Sequence, residues 1–195
     1  MDHGYVLEKL IPYRLGAVSS LGVALKYLQR WDSPKEMEIY FSGSLAIEGN
    51  SYGFTNPVFE SGLIHCRALL EFLGLCSNRA GTELKNLQLP RRKDDIGIEH
   101  FSNASGSLPL VTPEQALGRY AGESTEAEQA LLAVFHATNK GLAHLTSGLD
   151  LARSDARLIE IASRGVPALV ISHLYTPLER SAPQGVVTSR ARGGL

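Results

Sequence analysis

The chain has few cysteines, little aromatic content and almost no net charge. It contains two cysteines, one tryptophan and a formal net charge of −1 over 195 residues. Two cysteines are too few for a disulfide scaffold, and we expect both to be buried free thiols. A near-neutral chain has no overall field that attracts nucleic acid or an anionic membrane, so any such binding must be local.

Targeting and enzyme motifs are also missing from the sequence. No apolar run approaches the ~20 residues of a membrane span, and Met1 to Gly4 do not begin a secretory leader. No P-loop, GxSxG, HExxH or CxxC pattern occurs. These absences predict a cytoplasmic protein that binds no membrane and needs no cofactor. A metal-dependent enzyme remains a weaker alternative, with the ligands His65, Asp94, Asp95 and His100.

What the sequence does contain is helix signals. Three times a capping residue is followed directly by proline, at Ser33-Pro34, Asn56-Pro57 and Thr112-Pro113. Apolar residues recur every three or four positions behind such signals. The pattern predicts helices over 5–31, 34–48, 57–75, 125–146, 151–163 and 167–178, with a short one at 94–102. Gly165 and Pro167 predict a break or kink between the last two helices.

The expected fold is therefore all-α, a single bundle of about six helices over residues 1–180. Residues 57–75 and 125–146 are expected to be its central pair. Residues 77–111 form a long connection, and residues 181–195, with their glycines and arginines, predict a flexible tail.

Three segments place polar residues within apolar surroundings. In the first, Arg67 follows Glu60 by seven positions and precedes Glu71 by four, on roughly one side of a helix. A structural salt bridge and an anion-binding arginine are both open interpretations. The second segment holds Asp94 and Asp95, which form either a solvated helix start or a partner for Arg67 or Lys140.

The third segment runs from Asn139 and Lys140 to His144. Histidine transfers protons near neutral pH, lysine can hold a phosphate, and asparagine can orient one. The alternative is that His144 is an interior histidine with a packing role.

Together these segments resemble a group of bacterial helical proteins. The shared pieces are Glu60-Ser61 followed by His65 and Arg67, then Asp94-Asp95, and finally the run from Asn139 to Thr146. The last piece is also similar to the motif of the higher eukaryotes and prokaryotes nucleotide-binding (HEPN) superfamily. That resemblance implies a helical, often dimeric protein. In active members it implies a metal-independent RNase site, here at Asn139 and His144.

Two functions follow from the resemblance. Thr138 stands where the motif has its arginine, which favours a non-catalytic module that binds RNA, a nucleotide-like ligand or a partner. The alternative is a metal-independent endoribonuclease with His144 as general acid and base. In that enzyme, Lys140 and Arg67 would hold the phosphate and Asn139 would orient it. The binding residues expected in either case are Glu60, His65, Arg67, Asp94, Asp95 and Lys140. A homodimer is expected from the resemblance, and whether the chain is an enzyme stays open.

Overall fold

The computed structural model describes residues 2–142 and 153–183. Its first helical run is continuous and consists of α1 (His3–Tyr5), a π-helical turn (Val6–Leu10) and α2 (Ile11–Arg30). The later helices are α3 (Tyr52–Leu73), α4 (Pro113–Leu117), α5 (Ser124–His136) with a π-helical segment (Ala137–Leu142), and α6 (Arg153–Val170) with a π-helical turn (Ile171–Tyr175).

Strands interrupt this helical framework, so the fold is mixed α and β. Three antiparallel hairpins are formed by β1 (Glu36–Phe41) with β2 (Ser44–Asn50), β3 (Leu75–Ser77) with β4 (Leu84–Asn86), and β5 (Ser102–Asn103) with β6 (Gly106–Ser107). The expectation of an all-α bundle of about six helices is therefore wrong.

The largest error is the helix predicted over 34–48, which is the β1–β2 hairpin. Its apolar residues at Met37 and Phe41 fit a helical spacing, but Ile39 between them also gives the alternation of a strand. The turn at Ser42 and Gly43 decides the outcome, because both residues have positive φ, 51° and 84°. That is the backbone of a tight two-residue hairpin turn.

Of the other predicted helices, some are confirmed and some differ in the structure. The helix over 5–31 is confirmed as the α1–α2 run, and the helix over 125–146 is confirmed as far as Leu142. The helix over 57–75 is confirmed as α3, but α3 begins at Tyr52, so the start predicted at Asn56-Pro57 is wrong and Pro57 lies inside the helix. Helix α6 continues through Pro167 into the π-helical turn, so the helices predicted over 151–163 and 167–178 are one run and are not separated by a break. The short helix over 94–102 is reduced to one 3-10 turn at Ile98–His100. Residues 184–195 of the predicted tail lie outside the described residues.

The core is centred on α2 and α3, rather than on the predicted pair of α3 and α5. Leu21 of α2 is fully buried and lies directly against Gly62 of α3, where a Cβ atom would collide with the leucine side chain. Helix α6 packs on both α2 and α5 and closes the other side. Both cysteines are free thiols, as predicted; Cys66 is buried in this core, whereas Cys76 is only half-buried, contrary to the expectation. Within residues 2–142 and 153–183, no helix is long and apolar enough to cross a membrane.

Candidate functional site

A cavity of about 700 Å³ opens beside the paired helices. Its walls come from the start of the first helical run with α2, from the C-terminal half of α3, and from residues 87–96. We call it the α2–α3 groove. Its volume lies in the range of pockets that take small ligands, about 300–1,000 Å³. A second cavity of about 380 Å³ shares Arg67 and Glu71 with it and extends to Thr138 and Leu142.

Arg67 links two of the three polar segments that the sequence singles out. Its Nε donates to Oε1 of Glu71 at 2.8 Å, and its Nη1 donates to Oδ1 of Asn139 at 2.6 Å. The Arg67 side chain is 34% exposed and Asn139 is exposed. The two therefore meet at the surface of a cleft, where a ligand can reach them, and not within a closed core network.

Thr138, beside Asn139, has a structural role. Its buried hydroxyl donates to the carbonyl oxygen of Val134 at 2.8 Å, within the turn where α5 passes into its π-helical segment. A hydroxyl that bonds back to its own helix is not free for a ligand. Lys140 follows on the same segment, but its side chain, like the whole of His144, lies outside the described residues.

His65 forms a second polar contact at the side of the groove. Nη1 of Arg14 lies 3.1 Å from Nδ1 of His65. Because a guanidinium can only donate, Nδ1 must accept and the ring proton must lie on Nε2. Burial, and then the charge of Arg14, lower the pKa of His65, so the ring is neutral at pH 7. The ring of Tyr13 meets the same imidazole edge to face, with centroids 5.2 Å apart.

The wall formed by residues 87–96 is attached to α3 by Arg91. Its Nε donates to Oε1 of Glu99 at 2.7 Å, while Nη1 and Nη2 donate to the carbonyl oxygens of Glu71 and Phe72 at 2.7 and 3.2 Å. Burial alone would raise the pKa of Glu99. The hydrogen bonds and charge of Arg91, with a backbone hydrogen bond and the nearby His100, outweigh burial and leave that pKa below its usual range. Arg91 therefore satisfies the carbonyls at the end of α3 and fixes the wall in place.

The remaining predicted residues divide between the groove and the outer surface. Asp94 and Asp95 line the groove and are exposed. Within the described residues, neither aspartate forms a hydrogen bond or ion pair with Arg67. Glu60 is exposed on α3 but lines neither cavity, although it precedes Arg67 on the same helix.

Sequence reasoning missed Arg14, Tyr13 and Arg91. The first two lie in the helix 5–31, where leucine periodicity dominated the interpretation, and their only signal was a polar pair within an apolar run. Arg91 lies in the long connection over residues 77–111, where nothing local in the sequence marks which arginine turns inward.

Among the described residues, no group of three or more histidine, cysteine, aspartate or glutamate side chains is placed to hold a metal ion. Comparisons with protein-family models, with curated proteins and with solved structures find no match. The resemblance to HEPN proteins therefore rests on the sequence segments alone, and the geometry of the groove is what bears on function.

Proposed function

We propose that this chain is a non-catalytic binding module whose α2–α3 groove takes a nucleotide-like ligand carrying phosphate. The observation behind this proposal is that Arg14 and Arg67 both line one cavity, with Arg67 a third exposed. A guanidinium presents five donors in a fixed fork that matches phosphate geometry. Within the described residues, Arg14 donates only from Nη1 and Arg67 only from Nε and Nη1, so each guanidinium keeps donors for a ligand.

The charges of the groove favour a ligand with two kinds of polar group. Asp94 and Asp95 line the same cavity, and they are exposed acceptors with no polar partner in the part of the chain that the structure describes. A simple anion would be repelled by them. A nucleotide carries an anionic phosphate for the arginines and ribose hydroxyls or base amino groups that can donate to carboxylates.

Isothermal titration with adenosine monophosphate tests the proposal. Arg67→Gln removes the charge but keeps an amide that can still bond to Asn139. Because a hydrogen bond to a charged group contributes about 1.5–3 kcal/mol, the variant should bind about tenfold or more weakly. Arg79→Gln is the matched control, since Arg79 is exposed in a turn outside the groove. Equal affinity of the Arg67 and Arg79 variants, or no binding by wild type, would contradict the proposal.

A metal-independent endoribonuclease is the second candidate function. The contact between Arg67 and Asn139 favours it, because it brings a guanidinium from α3 to the residue that follows Thr138. In this candidate His144 is the general acid and base, while Arg67 and Lys140 hold the phosphate. The test is cleavage of a mixed RNA pool in EDTA by wild type, His144→Ala and the control His136→Ala, whose histidine is exposed on α5. Loss of cleavage in the His144 variant alone would establish the enzyme.

Location and assembly complete the proposal. We place the module in the cytoplasm, and the free thiols of Cys66 and Cys76 support a reducing compartment. RNA is the polymeric form of the proposed ligand class, and its binding should weaken steeply with salt. The homodimer implied by the HEPN resemblance is tested by light scattering of the full chain.

A further inference from the structure

Tyr13 is an exposed aromatic residue next in sequence to Arg14, which lines the groove. It is 68% exposed, the highest value among the large apolar side chains of the described residues. Its hydroxyl forms no hydrogen bond within residues 2–142 and 153–183. An exposed tyrosine alone is ordinary, so its neighbours must show whether it has a role.

The neighbour that matters is His65, which contacts both Tyr13 and Arg14. The tyrosine and histidine rings are perpendicular at 89° and their centroids lie 5.2 Å apart. The same imidazole accepts from Arg14 at 3.1 Å, and Arg14 lines the α2–α3 groove. One histidine therefore connects an aromatic ring to an arginine of the proposed phosphate site.

The geometry leaves the ring of Tyr13 open to a ligand. A perpendicular contact occupies at most one face of the tyrosine, and a side chain with two thirds of its surface in water keeps the other face free. Stacking on an aromatic side chain is how proteins hold nucleobases without reading their sequence. The contact with His65 also restricts the ring before a ligand arrives, which lowers the entropy lost on binding.

We infer that Tyr13 is a base-stacking position at the margin of the α2–α3 groove, so that the ligand carries a planar aromatic base next to its phosphate. This inference rests on the proposed function, in which Arg14 and Arg67 hold the phosphate. It adds the requirement that the ligand carry an aromatic base, which inorganic phosphate and a sugar phosphate lack.

Two ligands that differ only in the base test the inference. Adenosine monophosphate and ribose 5-phosphate are titrated separately into wild type, Tyr13→Leu and Tyr13→Phe. Tyr13→Leu keeps an apolar side chain without a ring, and it should weaken adenosine monophosphate about tenfold while leaving ribose 5-phosphate unchanged. Tyr13→Phe keeps the ring and should stay within about twofold of wild type. Tyr40→Leu, on the β1–β2 hairpin, is the control at another exposed tyrosine.

The outcomes separate this inference from the proposed function. If adenosine monophosphate binds in an Arg67-dependent way but Tyr13→Leu binds it as wild type does, the stacking position is overturned and the phosphate site stands. A Tyr13→Leu variant that loses both ligands equally also overturns it, because the ring would then not act on the base. If wild type binds neither ligand, both proposals fall. Thermal melting of each variant confirms that it is folded.

Discussion

Replacing Arg91 by methionine tests how the groove is held together. Arg91 and Glu99 are 7% and 18% exposed, so the pair lies largely out of water. The substitution removes the donors to Glu99 and to the two carbonyls at the end of α3, while keeping a long apolar side chain in their place. Glu99 is then left partly buried without its cationic partner.

The expected loss follows from that geometry. Removing one partner of a buried ion pair destabilises a protein by about 3–5 kcal/mol, because the other charge remains uncompensated. We expect the lower end, about 3 kcal/mol, since Glu99 retains some contact with water. At about 2–4 °C per kcal/mol for a chain of this size, the melting temperature should fall by about 6–12 °C.

The assay is urea unfolding followed by circular dichroism, with Arg92→Met as the control. Arg92 is the next residue and is exposed, so its substitution should change the free energy of unfolding by less than about 0.5 kcal/mol. The double variant Arg91→Met with Glu99→Met should regain much of the lost stability. A fall of less than about 1 kcal/mol in the free energy of unfolding for Arg91→Met would refute the reasoning, because breaking a largely buried ion pair destabilises a protein by more than that.

Two further predictions concern the packing of α2 on α3 and the contact between Arg14 and His65. Gly62→Ala should destabilise the protein by about 1–2 kcal/mol in urea unfolding, because the new Cβ collides with Leu21. Gly22→Ala, with open space at its Cβ, should instead stabilise α2 by up to about 1 kcal/mol; equal effects of the two changes would contradict the packing. Arg14→Gln should raise the pKa of His65 in an NMR titration, but only in part, because burial is the larger cause of its lowering. The pKa of His65 is lower in the folded protein than in the unfolded chain. The contribution of the neutral His65 ring to the free energy of unfolding is therefore present above pH ~6.5 and is lost as the pH falls through the pKa of the folded protein. A pKa unchanged by Arg14→Gln would exclude the contact.

The sequence predicts the long helices well because their apolar faces extend over many turns. The run through α1 and α2, and the helix α3, are cases where periodicity and tertiary packing agree. The β1–β2 hairpin fails for the opposite reason. Its segment is short, and the same apolar residues satisfy a helical and a strand period, so the turn at Ser42 and Gly43 decides the structure. The capping signal at Ser33-Pro34 predicted a helix where strand β1 begins. The signal at Thr112 is confirmed by reciprocal hydrogen bonds with Gln115.

Some contacts of the candidate site can likewise be predicted from the sequence, and others cannot. Arg67 and Glu71 are four positions apart on one helix, and their contact is readable from spacing alone. The hydrogen bond from Arg67 to Asn139 joins residues 72 positions apart. The sequence could place these two residues in one site only through the family resemblance of their two segments. Arg14 could not be assigned to the site, because its place depends on how α2 lies against α3, and no local pattern encodes that.

The hydrogen-bond partners of the groove arginines determine which of them can hold a ligand. A guanidinium has five N–H donors. Arg91 directs all three of its nitrogens at Glu99 and the end of α3, so it has little left to offer a phosphate. Within the described residues, Arg67 donates from Nε and Nη1 and leaves Nη2 without a partner, while Arg14 donates from a single nitrogen to His65. Of these three arginines, Arg14 and Arg67 are the ones that retain donors for the proposed phosphate, and substitution of Arg91 should affect binding only as far as it moves the wall that carries Asp94.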